Sequence, residues 1–255
     1  MTRDRLRADQ LLVERGHFES RARAQAAIAA GLVRADGRVV LRASDRIAPG
    51  ARIEARAPHP FVSRGGLKLQ AGLDAFGFDP AGCVCLDVGA STGGFTDLLL
   101  RRGAAQVYAV DVGREQLHAT LRGDPRVVSL EGTDARALDG TLIPRAPDLC
   151  AIDVSFIALR LVLPAVIPLL ADGAALAALI KPQFEAGRER IGRGGIVRDA
   201  AVHAAVCAEV VDCVKDLGLS VLGVIPSPVA GGDGNREFLI GARLSQARAA
   251  MKAVL

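Results

Sequence analysis

The sequence predicts an α/β protein with a doubly wound parallel sheet, preceded by a small α+β domain. An apolar run from Cys83 to Val88 leads into a glycine-rich turn and a helical stretch, Phe95 to Arg102. Strand, glycine turn and helix form the first unit of such a sheet. Further short apolar runs follow at strand-like lengths. Charge separates the two parts, because residues 1–64 carry a net +6 and residues 65–255 a net −2.

The first 57 residues predict two short helices followed by a small sheet. Leu6 to Val13 has the apolar spacing of a helix, and Ser20 is a suitable N-cap for a second helix, Arg21 to Ala30. Two apolar runs around Asp36-Gly37 predict a hairpin with a tight turn. Ala51 to Ala57 predicts a last strand. The alternative is a small α+β domain with a solvated basic face.

Arginine is concentrated on this helical part, which favours nucleic acid as its partner. The order of elements and the run from Arg5 to Val33 resemble the ribosomal-protein-S-four-like RNA-binding domain. The resemblance implies an RNA-binding domain at residues 1–57. Pro58-His59-Pro60 is stiff and predicts a linker at 58–62, before a second domain at 63–255. The RNA contacts expected in the first domain are Arg5, Arg7, Arg21 and Arg23.

The turn after the first strand of the second domain predicts the cofactor. A dinucleotide site would need the pattern G-x-G-x-x-G, but Ser91 stands at the middle glycine position, and Asp87 lies at the strand end. A carboxylate there repels phosphates and suits an ammonium group. A nucleoside that carries an amino acid, S-adenosylmethionine, therefore fits this stretch. A tight turn without a ligand is the alternative.

Later strands of the predicted sheet also end in charged residues. Asp111 lies 22 residues after Gly89, near the spacing of an acid that binds ribose hydroxyls. The next runs end at Asp134, which could reach an adenine amino group, at Asp153 and at Lys181. Because the carboxyl ends of parallel strands meet at one edge, we expect these side chains to line one crevice.

Lysine is rare in this chain, with 4 lysines against 28 arginines, yet Lys181 ends a strand at the predicted crevice and Lys68 lies in the helix that leads into the first strand. Arginine is not deprotonated in proteins, whereas lysine loses its proton when it is desolvated or crowded by another cation. The choice of lysine therefore predicts an amine that acts as a base. Chance placement, or the need for a compact cation, is the alternative.

Two further basic features belong to the second domain. Arg64 lies at its start, and the glycine-rich stretch 187–198 carries several arginines. Such a stretch predicts a mobile loop that could hold a phosphate backbone, with a solvated loop as the alternative. The additional expected RNA contacts are Arg64, Arg188, Arg190 and Arg193.

Five motifs together resemble the TlyA (haemolysin A-like) family of ribosomal RNA (cytidine-2′-O)-methyltransferases, whose FtsJ-like catalytic domain is Rossmann-like. They are Phe61–Leu69, Leu86–Asp97, Asp153–Ile157, Leu179–Glu185 and Gly194–Asp199. The resemblance covers essentially the whole chain. It implies a catalytic tetrad of Lys68, Asp153, Lys181 and Glu237. It also implies S-adenosylmethionine contacts from Asp87, Gly89, Ser91, Thr92, Gly93, Gly94, Phe95, Asp111, Val112, Asp134 and Asp153.

The implied reaction moves a methyl group from S-adenosylmethionine to the ribose 2′-hydroxyl of a cytidine in 16S and/or 23S ribosomal RNA. Base methylation is less favoured, because Asp153 is followed by Val-Ser-Phe rather than Pro-Pro-aromatic, and Cys150 lies within a strand. Two competing functions are a non-catalytic ribosome-assembly factor and a membrane-active haemolysin. The longest apolar stretch, Leu159 to Ile180, is interrupted by charged residues and prolines, which disfavours a membrane span.

The composition of the chain indicates the cellular compartment and the partners of the protein. The chain opens without an apolar leader, and its five cysteines fall within apolar strand or helix patterns, typical of core residues in a reducing cytoplasm. Cys83 and Cys85 alternate along a strand and have no second ligand pair, so we expect no metal. The expected protein is cytoplasmic, with ribosomal RNA or ribosomal subunits as partners and no membrane partner.

Overall fold

The structure is a computed structural model that describes residues 5–231 and 234–245. The chain divides into two compact units, residues 1–60 and 61–255, and the predicted linker at 58–62 spans this division. The elements of the first unit, within its described part, are β1 (Leu6–Arg7), α1 (Ala8–Glu14), α2 (Arg21–Ala29), β2 (Val33–Ala35), β3 (Arg38–Val39), β4 (Arg46–Ile47) and β5 (Ile53–Ala55).

The first unit is a small α+β fold. Ser20 caps α2 by accepting a hydrogen bond from Arg23 N at 3.3 Å. The predicted hairpin forms, with β2 paired antiparallel to β3 and also to β5. Leu6 was predicted to be helical but lies in β1, because it pairs with Ile47 of β4. That pairing joins residues about 40 apart, which no local pattern indicates.

The second unit contains the larger sheet. Its described helices and strands are α3 (Gly65–Phe76), β6 (Val84–Val88), α4 (Gly94–Arg101), β7 (Gln106–Asp111), α5 (Ala119–Arg122), β8 (Val127–Glu131), β9 (Leu149–Ile152), α6 (Leu159–Val166), β10 (Ala175–Ile180), α7 (Pro182–Glu185), α8 (Ala200–Asp216), β11 (Leu219–Pro226) and β12 (Phe238–Leu244). In this part of the chain the strands form one seven-stranded sheet in the order β11-β12-β10-β9-β6-β7-β8.

Most neighbouring strands of this sheet are parallel, as the sequence predicts, but β12 is not. It runs antiparallel between β10 and β11. Since the parallel strands end at one edge of the sheet, the start of β12 lies at that same edge. Ile180, the last residue of β10, pairs with Phe238, the first residue of β12. The residues that follow β10 and precede β12 are therefore neighbours.

Apolar side chains cover both faces of the sheet, because residues alternate along each strand. Leu86 and Val88 pack on the face covered by α6 and α8, with Leu163 and Val206. Cys85 packs on the opposite face against α3 and α4. The strands are buried on both faces, which explains why they appear in the sequence as continuous apolar runs.

Candidate active site

A glycine turn joins β6 to α4 and brings the end of β9 against it. Gly89 has φ +86°, and a Cβ there would overlap the backbone carbonyl oxygen of Asp153, so only glycine fits. Ser91 also has a positive φ, +47°, and its N–H donates to Asp111 Oδ2 at 2.8 Å. The turn is thus fixed from both sides by the ends of β7 and β9.

A cavity of about 660 Å³ lies beyond the ends of β6, β7 and β9. Asp111 lines it, and this carboxylate is held in place by the N–H groups of Ser91 and of Gly113, the latter at 2.7 Å. Carboxylate oxygens have further lone pairs, so Asp111 can still accept from ribose hydroxyls. The volume of this cavity, its few carboxylates and its apolar walls fit a nucleoside-sized ligand. The apolar residues of the lining include Val88, Val110, Val112 and Ile157.

Asp134, predicted to meet an adenine amino group, also lines this cavity. Its carboxylate accepts from Arg136 Nε at 3.0 Å and from Arg136 Nη2 at 2.6 Å. These bonds lower the pKa of Asp134 to about 2. The carboxylate is therefore ionised at neutral pH and oriented by Arg136, and any contact to an adenine uses its remaining lone pairs.

A second cavity, of about 280 Å³, contains both lysines that the sequence singled out. Lys68 and Lys181 line it together with Arg64. It adjoins the first cavity, because both are lined by Gly89, Ser91, Asp153 and Ser155. A ligand in the larger cavity can therefore meet a second ligand beside the lysines.

Each of these lysines has a carboxylate partner. Lys68 Nζ donates to Glu237 Oε2 at 2.6 Å, with only 11% and 3% of the two side chains exposed. Lys181 Nζ lies 2.6 Å from Asp153 Oδ1 and donates to Ser155 Oγ at 2.9 Å. The structure therefore brings the four residues of the expected tetrad together as two ion pairs beside one cavity.

The topology of the sheet explains this assembly. Lys181 follows β10, Asp153 follows β9, and Glu237 precedes the antiparallel β12 at the same edge. Lys68 is supplied by α3, which packs on the sheet through Leu69 and other apolar residues. Parallel strands alone would have placed the start of the last strand at the opposite edge.

Asp87 lies behind the glycine turn and lines neither cavity. It is fully buried, and its Oδ2 accepts from the N–H and the hydroxyl of Thr96 at 2.9 and 2.6 Å. Its buried Oδ1 has no hydrogen-bond partner among the described residues. Burial raises the pKa of Asp87 to about 7. The Asp87 carboxyl thus links the end of β6 to α4 through Thr96. Its Oδ1, behind the glycine turn, has no partner among the described residues.

Two residues of this region were missed by sequence reasoning, Ser155 and Phe156. Ser155 is two positions after Asp153, a spacing that places both side chains on one side of an extended segment, and this was the available signal. Phe156 is 91% exposed, has φ +64°, and its ring centroid lies 5.0 Å from that of Phe184. Exposure of this kind depends on the loop conformation, which local sequence does not reveal.

The expected RNA contacts of the first unit are partly engaged within the protein. Arg7 Nε donates to Asp9 Oδ1 at 3.0 Å, and Arg21 Nη2 donates to Asp9 Oδ2 at 2.7 Å. Asp9 is fully buried, and the Arg7 guanidinium holds the pKa of this carboxyl well below its usual value. Arg7 and Arg21 are 37% and 52% exposed, so their outer edges still face solvent. Arg5 is exposed and Arg23 is partly exposed.

The basic loop of the second unit is tied down at several points. Arg190 Nη1 donates to Glu209 Oε1 on α8 at 3.1 Å. Asn235 holds the loop from the other side, since its Oδ1 accepts from Val197 N at 3.0 Å and its Nδ2 donates to Gly195 O at 3.1 Å. The side chains of Arg188 and Arg193 lie outside the described residues, whereas Arg64 is exposed beside the lysine cavity.

None of the helices in the part of the chain that the structure describes is long and apolar enough to span a membrane. Within residues 5–231 and 234–245, no group of three His, Cys, Asp or Glu side chains is arranged to hold a metal ion.

The chain is similar to known proteins along nearly its whole length. Residues 61–244 match the FtsJ-like methyltransferase family, and residues 6–53 match the S4 domain. The chain is 45% identical over 242 residues to Bacillus subtilis YqxC, provisionally named an rRNA methyltransferase, with 94% of this chain and 86% of that protein covered.

It is 42% identical over 247 residues to the 16S/23S rRNA (cytidine-2′-O)-methyltransferase TlyA of Mycobacterium tuberculosis, with 96% of this chain and 92% of that protein covered. Among solved structures, a Streptococcus thermophilus protein provisionally named a hemolysin superposes with a TM-score of 0.75 at 42% identity. That superposition covers 95% of this chain and 89% of the other.

Proposed function

The chain belongs to the FtsJ-like methyltransferase family, and from this premise we propose that it methylates ribosomal RNA. The methyl group moves from S-adenosylmethionine to the ribose 2′-hydroxyl of a cytidine in 16S and/or 23S rRNA. The observation that carries this proposal is the pair of lysine–carboxylate contacts beside a cavity that adjoins the nucleoside-sized one. The M. tuberculosis relative is named for this reaction, which supports the choice of cytidine and of ribose.

S-Adenosylmethionine supplies, when bound, an electrophilic methyl group on a sulfonium. In the larger cavity, Asp111 would hold the ribose hydroxyls and Val112 would contact the base. Asp134 would accept from the adenine amino group, and Asp153 would lie at the boundary with the second cavity. The glycine turn would bind the amino-acid end of the cofactor, and the carboxyl of Asp87 would attract the ammonium group from behind the turn. The residues assigned to the turn are Gly89, Ser91, Thr92, Gly93, Gly94 and Phe95.

Lys181 is the proposed general base. A ribose hydroxyl is a weak nucleophile and must lose its proton as it attacks the methyl carbon. The amine of Lys181 faces a cavity that adjoins the cofactor space, and its side chain is 9% exposed, so water competes little for it.

Lys68 and Glu237 have a different role from Lys181 and Asp153. The hydrogen bond from Lys68 to Glu237 is short and buried, and it fixes the position of the Lys68 amine. The Lys68 amine beside the cavity attracts the RNA phosphate or the developing alkoxide. Asp153 supplies the balancing charge at Lys181.

RNA would be held by arginines of both units. The exposed edges of Arg7 and Arg21, fixed on Asp9, offer hydrogen-bond donors for phosphate oxygens. In the second unit, Arg64 lies beside the lysine cavity, and the arginines at 188, 190 and 193 lie on the basic loop. Phosphate contacts of this kind position the RNA without specifying its sequence.

The test is transfer of labelled methyl from S-adenosylmethionine to purified ribosomal subunits and to naked rRNA, followed by identification of the labelled nucleoside. We expect 2′-O-methylcytidine with the wild type, none with Lys181→Ala or Lys181→Arg, and normal product with Lys215→Ala. Lys215 is the matched control because it is an exposed lysine in the last turn of α8.

Different outcomes identify the competing functions. Label on a base contradicts the proposed role of the tetrad while leaving the methyltransferase assignment in place. No label on any substrate, with RNA and cofactor binding intact, favours the assembly factor. Leakage from liposomes with no methyl transfer favours the haemolysin.

A further inference from the structure

Lys181 has two polar neighbours, and they differ in geometry. Asp153 Oδ1 lies 2.6 Å from Lys181 Nζ, which is the distance of an ion pair, but this buried oxygen has no hydrogen-bond partner among the described residues. Ser155 Oγ, at 2.9 Å, does accept a hydrogen bond from Lys181 Nζ. The Asp153 contact therefore supplies charge, and the Ser155 contact supplies direction.

Direction matters for an amine that acts as a base. A neutral lysine amine has two N–H bonds and one lone pair, and rotation about the Cε–Nζ bond carries the lone pair through three staggered positions. An N–H bond fixed on Ser155 Oγ stops this rotation. The lone pair is then confined to the other two staggered positions, and the negative charge of Asp153, 2.6 Å from Nζ, disfavours the position nearest to it, which leaves the one toward the cavity that Lys181 lines.

We propose that Ser155 is a positioning residue, which directs the lone pair of Lys181 toward the ribose hydroxyl. This inference rests on the proposed function, because it assigns Ser155 a part in the proton transfer from the 2′-hydroxyl to Lys181 Nζ. Ser155 itself gains or loses no proton. Its hydroxyl oxygen accepts one hydrogen bond from the amine before and after the transfer, since the ammonium also has an N–H bond for it.

The loop that carries Ser155 is held so that this contact persists. Leu159 N, at the start of α6, donates to Glu185 Oε1 at 2.7 Å. Glu185 is buried and lies four residues after Lys181. The end of the Ser155 loop is therefore fastened to the segment that follows the base, and the two cannot separate without breaking a buried hydrogen bond.

The test compares Ser155→Ala and Ser155→Thr with the wild type and with Ser129→Ala, an exposed serine on β8 that serves as the control. Single-turnover methyl transfer is measured from pH 6 to pH 10, with KM for RNA, cofactor affinity by calorimetry and Tm. For Ser155→Ala we expect about a tenfold lower rate, the size of one hydrogen bond to an ionisable group. KM, cofactor affinity and Tm stay near wild type, and Ser155→Thr, which keeps the hydroxyl, restores most of the rate.

The pH profile distinguishes a change in the direction of the Lys181 lone pair from a change in the basicity of the amine. A misdirected lone pair keeps the rate low at every pH, so the Ser155→Ala profile stays below the wild type at its alkaline plateau. Recovery of the full rate at alkaline pH would overturn the inference, because it would mean that Ser155 affects only protonation. An unchanged rate, a change confined to KM or cofactor affinity, or equal losses in the Ala and Thr variants with lower Tm would also overturn it. A wild type that transfers no methyl group overturns the proposed function together with this inference, whereas an active wild type matched by Ser155→Ala overturns this inference alone.

Discussion

Replacing Glu237 with glutamine leaves Lys68 as a buried ammonium without its carboxylate partner. The wild-type pair is a direct 2.6 Å hydrogen bond, with Lys68 11% and Glu237 3% exposed. Glutamine keeps the shape of the side chain and one acceptor oxygen, so the change removes charge rather than volume. Breaking a buried pair in this way costs about 3–5 kcal/mol, because one charge stays buried and uncompensated.

That loss is large compared with the stability of an ordinary domain, about 5–15 kcal/mol. For a unit of this size each kcal/mol lowers Tm by about 2–4 °C, so we expect a shift of about 10 °C. The assay is urea unfolding and thermal melting of the whole chain, followed by circular dichroism. Asp74→Asn is the control, because the Arg102–Asp74 pair is 34% and 52% exposed and is worth less than about 1 kcal/mol.

A double-mutant cycle tests the physical reason. Lys68→Met combined with Glu237→Gln removes both charges, so the double variant should be more stable than Glu237→Gln alone and within about 1–2 kcal/mol of the wild type. Additive losses would contradict the assignment of a coupled buried pair. The double variant should also fold normally yet transfer no methyl group, which separates the catalytic loss from unfolding.

Three further predictions concern different parts of the chain. Gly89→Ala should weaken S-adenosylmethionine binding more than tenfold by calorimetry, since its Cβ would overlap a backbone oxygen at φ +86°, while Gly140→Ala, in open space, should bind normally. The free energy of unfolding of the wild type should fall by about 4 kcal/mol as pH rises from 4 to above 7, because burial raises the pKa of Asp87 to about 7 in the folded protein. The folded state keeps a proton that the unfolded state loses at lower pH. The stabilisation is therefore complete below the unfolded pKa of Asp87 and is lost as pH rises through the folded pKa. Urea unfolding of Asp87→Asn should lack this loss, and equal pH dependence in both proteins would contradict it. Asp9→Asn should destabilise the first unit by about 2 kcal/mol, seen in hydrogen exchange of α1 and α2, and unchanged exchange would show that Arg7 and Arg21 do not depend on it.

Much of the fold could be predicted because the strands are buried on both faces. Their apolar runs end in glycine or in a charged residue, so the run predicted to end at Asp153 is β9, and the predicted helix at 95–102 is shifted by one residue from α4. The short β1 and β4 were missed, because two-residue strands are defined by a long-range pairing. The direction of β12 could not be predicted, since a strand's apolar pattern is the same in either direction.

In the candidate site, too, features that depend on the local sequence pattern were predicted, whereas features that depend on packing were not. Charged residues at strand ends predicted the crevice edge, whereas the base chemistry inferred from the two lysines stays a prediction. The burial of Asp87 behind the turn was not predicted, because it depends on how α4 packs on β6. The internal bonds of Arg7 and Arg21 were not predicted either, since a basic side chain looks the same in sequence whether it meets a carboxylate or solvent.

The direction of β12 has a consequence for how the site forms. Lys68 and Glu237 are 169 residues apart in sequence, and they meet only when β12 has inserted between β10 and β11. Until then Lys68 lacks its carboxylate partner. Because β12 lies between β10 and the edge strand β11, opening of the β11–β12 pair should therefore remove activity before the parallel strands unfold. Deuterium exchange at β12 amides should rise with urea at the same concentration at which methyl transfer is lost, and exchange at β6 and β9 should rise only at higher concentrations. Simultaneous exposure of all three strands would show instead that the sheet opens as one unit.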